Sequence, residues 1–269
     1  MDVEKFANAL RQSSMSKNAT ASYLFSGRQF AKMYGELTRT NIQAYKAWLL
    51  ENFSVKTANI RILAINWYVV HVLKKPSLKS PLVKEQQKPF LENVISESDY
   101  EYFKKRLEAE SNKMLYFAVR FLCATGARIH EFLKFKVEDV RRGHVDIYGK
   151  GGKVRRIYIP AALQCAALAW LTEIGRESGF LWLNAKGELI TARGLSSLMK
   201  EKAKTYRMDT NVVYPHSFRH RFAKNFLERY NDIAFLADLM GHSSIETTRI
   251  YLRKTATEQR EIVDRVITW

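Results

Sequence analysis

Cysteine is scarce: Cys123 and Cys165 are the only two in 269 residues. Both sit inside apolar helical patterns, which predicts reduced core thiols and excludes a disulfide framework or a cysteine-built zinc cluster. No stretch reaches the roughly 18 consecutive apolar residues that a membrane span needs, and the opening Met-Asp-Val-Glu-Lys is no secretory leader. A cytoplasmic protein without a membrane partner is therefore expected. Acidic residues are also few, 27 against 44 Lys and Arg, for a formal net charge of +17. That excess points to a polyanionic partner, most often nucleic acid. Paired-carboxylate motifs, by which metal nucleases cluster ions to activate water, are absent.

What is present divides the chain. Residues 1–85 hold 13 basic and 5 acidic side chains. Apolar residues there recur at three- and four-residue steps, as in Tyr23, Phe30 and Tyr34, then Ile42, Tyr45 and Leu49, then Ile60, Leu63 and Trp67, with a shorter helix near Val3–Leu10. The reading is a basic helical bundle over 1–80. Prolines 76, 81 and 89 and their lysines predict a linker over 81–94. A second domain spans 95–269. It opens at Ser96 and Asp99 and runs through Met114–Cys123 to Gly126. Strands are expected at His144–Tyr148 and Val154–Ile159, joined by a glycine-rich hairpin, with a third at Phe180–Leu183. Helices are expected over 161–177, 191–206, 217–230, 233–240, 244–252 and 256–268. The fold class is mostly α with a small β-sheet.

Four stretches can carry chemistry. Arg128 follows Thr125-Gly126-Ala127, with Glu131 one helical turn on, where its carboxylate can hold the guanidinium. A guanidinium fork takes two phosphate oxygens at once, although an i,i+3 surface ion pair has the same spacing. Gly149-Lys150-Gly151-Gly152-Lys153 is the second stretch. The third is Tyr214-Pro215-His216-Ser217-Phe218-Arg219-His220, where Pro215 starts a helix that puts His216 and Arg219 on one face. A zinc pair of His216 and His220 lacks both the glutamate of a His-Glu-x-x-His helix and a third ligand. Gly241-His242-Ser243-Ser244, with Tyr251 nine residues after His242, completes the set.

In order, spacing and residue type these stations resemble the tyrosine recombinase family, which includes Xer-type recombinases and phage and transposon integrases. The resemblance implies an N-terminal core-binding (SAM-like) helical bundle and a C-terminal catalytic domain. It implies a site-specific recombinase that breaks and rejoins DNA through a covalent 3′-phosphotyrosyl intermediate, without metal or ATP, in integration, excision, inversion or resolution. Tyr251 would be the nucleophile, and Arg128, Arg219, His216 and His242 would stabilise the phosphate. His216 would accept the phenol proton, Lys150 would protonate the leaving hydroxyl with Lys153 as its rival, and Glu131 would orient Arg128. Arg28, Lys56, Arg61, Lys153, Arg155 and Arg156 are candidate DNA contacts, each also readable as a solvated charge. The implied partner is double-stranded DNA with specific recombination sites, bound by a homotetramer on the nucleoid, with room for accessory DNA-bending proteins.

Two departures from the family pattern are Arg221, where relatives often carry a small residue, and Ala127, where an aliphatic is frequent. No additional amino-terminal arm-binding domain is expected. An apolar stripe of Ile262, Val263, Val266, Ile267 and Trp269 reads as a terminal helix, which by itself fits packing on its own domain; the resemblance implies instead that it docks on a neighbouring protomer. Two other functions fit parts of the pattern: a nicking and rejoining topoisomerase with the same residue set, and a DNA-binding protein in which Tyr251 is inert.

Overall fold

The computed structural model describes residues 1–85, 93–148, 154–242, 244–252, 260, 263–267 and 269. The chain divides into two compact units, Met1–Gln87 and Lys88–Trp269. Among the described residues no helix is long and apolar enough to cross a membrane.

The first unit contains helices α1 (Val3–Gln12), α2 (Lys17–Tyr34), α3 (Arg39–Asn52) and α4 (Val55–His71). Each starts at a polar residue, Asp2, Ser16, Thr38 or Ser54, whose side chain accepts the backbone N–H three positions on. Such a cap is worth about 1 kcal/mol. Phe30, Ile42, Tyr45, Leu49, Ile62 and Val69 form one core, and Phe6 and Leu10 pack with Tyr68 beside it. The proline-containing segment does not begin as a free linker at 81. Asn59 and Asn66, seven residues apart on one face of α4, exchange pairs of hydrogen bonds with the backbone of Val83 (2.9 Å each) and Ser80 (2.8 Å each). Two carboxamides thus imitate strand pairing and fasten the chain to the bundle as far as Val83.

The second unit is built on α6 (Met114–Thr125), which is apolar on nearly every side and correspondingly buried. Around it lie α5 (Glu97–Glu108), α9 (Ala161–Glu173), α10 (Ala192–Thr205) and α11 (Pro215–Arg229), with the short α7 (Ile129–Phe132) and α8 (Val137–Arg142) between α6 and the sheet. Trp182 stacks on Phe132 with ring centroids 4.4 Å apart and donates its indole N–H to the Phe132 carbonyl. Strands β1 (His144–Tyr148) and β2 (Val154–Tyr158) pair antiparallel, with Val145 opposite Ile157. Helices α12 (Ile233–Met240) and α13 (Glu246–Arg249) follow, then a 3₁₀ turn over Ile250–Leu252.

Several local expectations change. Phe180–Leu183 is no strand: Phe180 bridges only Lys136 and Leu183 only Leu189, because Leu181 and Trp182 turn into the core. α9 stops at Glu173, just before Gly175 takes a left-handed conformation, rather than running to 177. The stretch 244–252 is four residues of α-helix and a 3₁₀ turn, not one helix. Cys123 is a buried free thiol, pushed up to about 12 by burial, but Cys165 is exposed on α9 rather than in the core. The loop 149–153 and most of 253–262 lie outside the described residues; Val263, Val266, Ile267 and Trp269 of the terminal stripe are exposed.

Candidate active site

The C-terminal end of α12 organises the site. A helix leaves its last carbonyls without intrahelical partners. Here Gly241, at φ +60°, ends the helix, and three successive carbonyls each receive a different arginine. Leu239 accepts from Arg155 Nη1, Met240 from Arg219 Nη2 at 2.9 Å, and Gly241 from Arg128 Nη2 at 2.8 Å. The negative end of the helix dipole adds to this attraction.

Arg128 caps α7, immediately after α6 ends at left-handed Gly126. Glu131 accepts both the Arg128 backbone N–H (2.9 Å) and Nη1 (3.2 Å), so the i,i+3 pair exists and is part of the site. The same carboxylate takes Arg155 Nη2. Arg219 on α11 is only 3% exposed and also donates Nη1 to the Gly126 carbonyl. Burial, with the neighbouring charge of Arg128, pulls it down to about 10. Glu131 thus pairs with Arg128 and Arg155, while Arg219 is held by carbonyls and an imidazole. Three guanidiniums gather around one carboxylate and leave an excess of positive charge suited to a phosphodiester.

His242 lies beside Arg219, which donates Nη2–H to its Nε2 at 3.0 Å, while Nδ1 meets Thr248 Oγ1 at 2.8 Å. Burial and the charges of Arg219 and Arg128 lower its imidazole to about 4. Tyr251, on the 3₁₀ turn, is 6% exposed, and its ring lies nearly parallel to that of His242 at 11°. Burial raises the phenol above its usual range, against the opposing pull of Arg219 and Arg128.

The imidazole touching the phenol is not the one expected. His220 Nδ1 shares a hydrogen bond of 3.2 Å with the Tyr251 hydroxyl, whereas His216 makes no hydrogen bond among the described residues. His216 lies one turn back on α11, its ring 6.0 Å from that of His220. Its imidazole is lowered by desolvation and by Arg219 and Arg128, and that of His220 falls to about 4 through burial and the charges of His216 and Arg219. The i,i+4 spacing of the two histidines was legible; the contact across 31 residues was not.

The expected DNA contacts separate. Arg28 and Lys56 are exposed on the first unit. Arg61 lies over the Phe53 ring at 3.9 Å and donates to Gln29. Arg156 is exposed and makes a two-pronged pair with Asp146 across the sheet. Arg155 points the other way, to Glu131 and Leu239, with its side chain 14% exposed. Strand alternation carries the signal for this, since Arg155 shares its face with buried Ile157 and Arg156 does not. Lys150 and Lys153 lie outside the described residues. Of the two departures noted in the sequence, Ala127 is buried and Arg221 pairs with Glu97 at the start of α5.

The family model described as the phage integrase family matches residues 92–258. The chain is 27% identical over 278 residues to the tyrosine recombinase XerA of Pyrococcus furiosus, covering 98% of this chain and 93% of that one. It is 28% identical to the TnP I resolvase of Bacillus thuringiensis, covering 93% and 95%. In fold it is similar to the Tn1549 transposon integrase in complex with circular intermediate DNA, at TM-score 0.75 and 18% identity over 97% of this chain and 98% of that one. It is likewise similar to the XerH site-specific recombinase bound to its difH substrate before cleavage, at TM-score 0.68 and 19% identity over 91% and 78%. With more than half its length matched to the family model, and the arginines, histidine and tyrosine of that segment gathered at the end of α12, the chain belongs to the phage integrase family of tyrosine recombinases.

Proposed function

We propose that this protein is a site-specific DNA recombinase in which Tyr251 attacks a phosphodiester, forms a 3′-phosphotyrosyl bond and releases a 5′-hydroxyl. The observation that carries the reading is the convergence of Arg128 and Arg219 on adjacent carbonyls, 240 and 241, with His242 and Tyr251 beside them. Two fixed guanidiniums meet the charge that grows on the non-bridging oxygens, and donors already in place cost little reorganisation. Glu131 holds Arg128 from below.

The phenol must lose a proton and the departing alkoxide must gain one. The 3.2 Å contact supports His220 as the acceptor, in place of His216, which then serves as a donor to the phosphate. Lys150 is assigned the proton for the 5′-oxygen, with Lys153 as the alternative. The covalent bond keeps the energy of the broken ester, so a second 5′-hydroxyl can reverse the attack without ATP.

The partner is duplex DNA carrying recombination sites. Arg28 and Lys56 contact its backbone from the first unit, and four copies assemble on it, joined by the C-terminal stripe of Val263, Val266 and Ile267. The protein acts on cytoplasmic, nucleoid-borne DNA. A nicked suicide substrate bearing the cognate site tests the reaction: wild type forms an adduct that survives a denaturing gel, and Tyr251→Phe forms none. An adduct from Tyr251→Phe, or none from wild type, overturns the assignment; site-independent plasmid relaxation would indicate a topoisomerase.

A further inference from the structure

His242 has two hydrogen-bond partners on opposite ring nitrogens, and they are chemically unlike. Arg219 can only donate. The His242 Nε2 that faces its Nη2 at 3.0 Å must therefore present a lone pair, which puts the ring proton on Nδ1, directed at Thr248 Oγ1. Thr248 is wholly buried, and its hydroxyl has no other partner among the described residues. In this tautomer Nε2 cannot donate to a phosphate oxygen.

We infer that Thr248 is a positioning residue whose hydroxyl fixes the resting tautomer of His242 and, by rotating, supports the opposite one when a phosphate arrives. The inference rests on the reaction proposed above. Once phosphate oxygens take the Arg219 donors, Nε2 can carry the proton and give a hydrogen bond to the phosphate. Nδ1 then needs a donor, and the Thr248 hydroxyl beside it can both accept and donate. The exchange runs through solvent water, which delivers one proton to Nε2 and receives one from Nδ1, leaving the ring neutral throughout. A methyl group in place of Oγ1 serves neither tautomer and leaves Nδ1 without a partner in a buried site.

Thr248→Val keeps the shape and removes the hydroxyl, and Thr248→Ser keeps the hydroxyl and removes the methyl. The full-length variants are compared on the nicked suicide substrate at saturating DNA. Thr248→Val is expected to form adduct about 10- to 100-fold more slowly, the scale of leaving a buried ring nitrogen without a partner, with an unchanged Kd for DNA. Thr248→Ser stays within about threefold of wild type, as the retained hydroxyl still pairs with Nδ1. In nitrogen-15 spectra of the free proteins, a slowly exchanging His242 Nδ1–H is seen in wild type and Thr248→Ser and is lost in Thr248→Val. Wild-type rates in Thr248→Val, an equal loss in Thr248→Ser, or a His242 proton on Nε2 in the free protein each overturn the inference. If wild type forms no adduct, the recombinase reading fails, while the spectra still decide the tautomer.

Discussion

Replacing Gly241 by alanine tests whether the carbonyl row at the end of α12 assembles the site. Gly241 has φ +60°, and a Cβ added there would collide with the Cδ and Nε atoms of Arg155. Arg155 is a flexible side chain in principle, but its guanidinium is tied to Glu131 on one side and to the Leu239 carbonyl on the other. The left-handed backbone costs a non-glycine residue roughly 1–2 kcal/mol. Displacing Arg155 forfeits charge-assisted bonds worth about 1.5–3 kcal/mol net. The substitution should therefore destabilise the protein by roughly 2.5–5 kcal/mol, read as a lower urea midpoint at unchanged slope. In an Arg155→Ala background the collision is gone, and Gly241→Ala should then cost only the backbone part, about 1–2 kcal/mol. Equal costs in the two backgrounds, or a cost below about 1 kcal/mol in the wild-type background, would refute the reasoning.

Two further predictions concern charge. His220 and His242 both titrate near 4 in the folded protein, below the ordinary 6.5 of the unfolded chain, so the unfolded state binds more protons between those values. Stability is therefore full above pH 6.5 and falls as the pH drops toward 4, by at most about 1.4 kcal/mol per pH unit for each histidine, and less for the more solvent-screened His242. Urea midpoints across that range check this, and His220→Gln should flatten the slope. For DNA binding, Arg28→Ala and Lys56→Ala should each reduce the dependence of log Kd on log salt by about 0.9, the release expected for one phosphate contact. Arg155→Ala should leave that slope unchanged, because its charge is already held by Glu131; a reduced slope would make Arg155 a DNA contact after all.

The helices long enough to show a periodic face, such as α3, α4 and α6, were legible from apolar spacing, and β1 and β2 from alternation. The residues 129–142 were not, because four- and six-residue helices complete too few turns to display a stripe. The Tyr251 turn read as a helix because Ser244 to Leu252 has helical spacing; in the fold only Glu246–Arg249 completes an α-turn before the chain tightens. In the site, the family resemblance carried by the four stretches pointed to Arg128, Arg219, His242 and Tyr251, which the fold brings together at the end of α12. Which atom meets which was set by contacts more than 20 residues apart, such as His220 with Tyr251 and Arg155 with Glu131, and local pattern carries no distance information of that kind.

The row of peptide oxygens at 239–241 has one more consequence. A carboxylate clamp would vanish with a single codon change and would cancel much of the charge it held. A main-chain oxygen belongs to every residue type and bears no net charge, so residues 239 and 240 can follow the demands of packing while the guanidiniums stay seated without a further carboxylate beyond Glu131. The reaction centre is thereby insulated from ordinary side-chain drift. Its vulnerable point is the handedness of one helix ending.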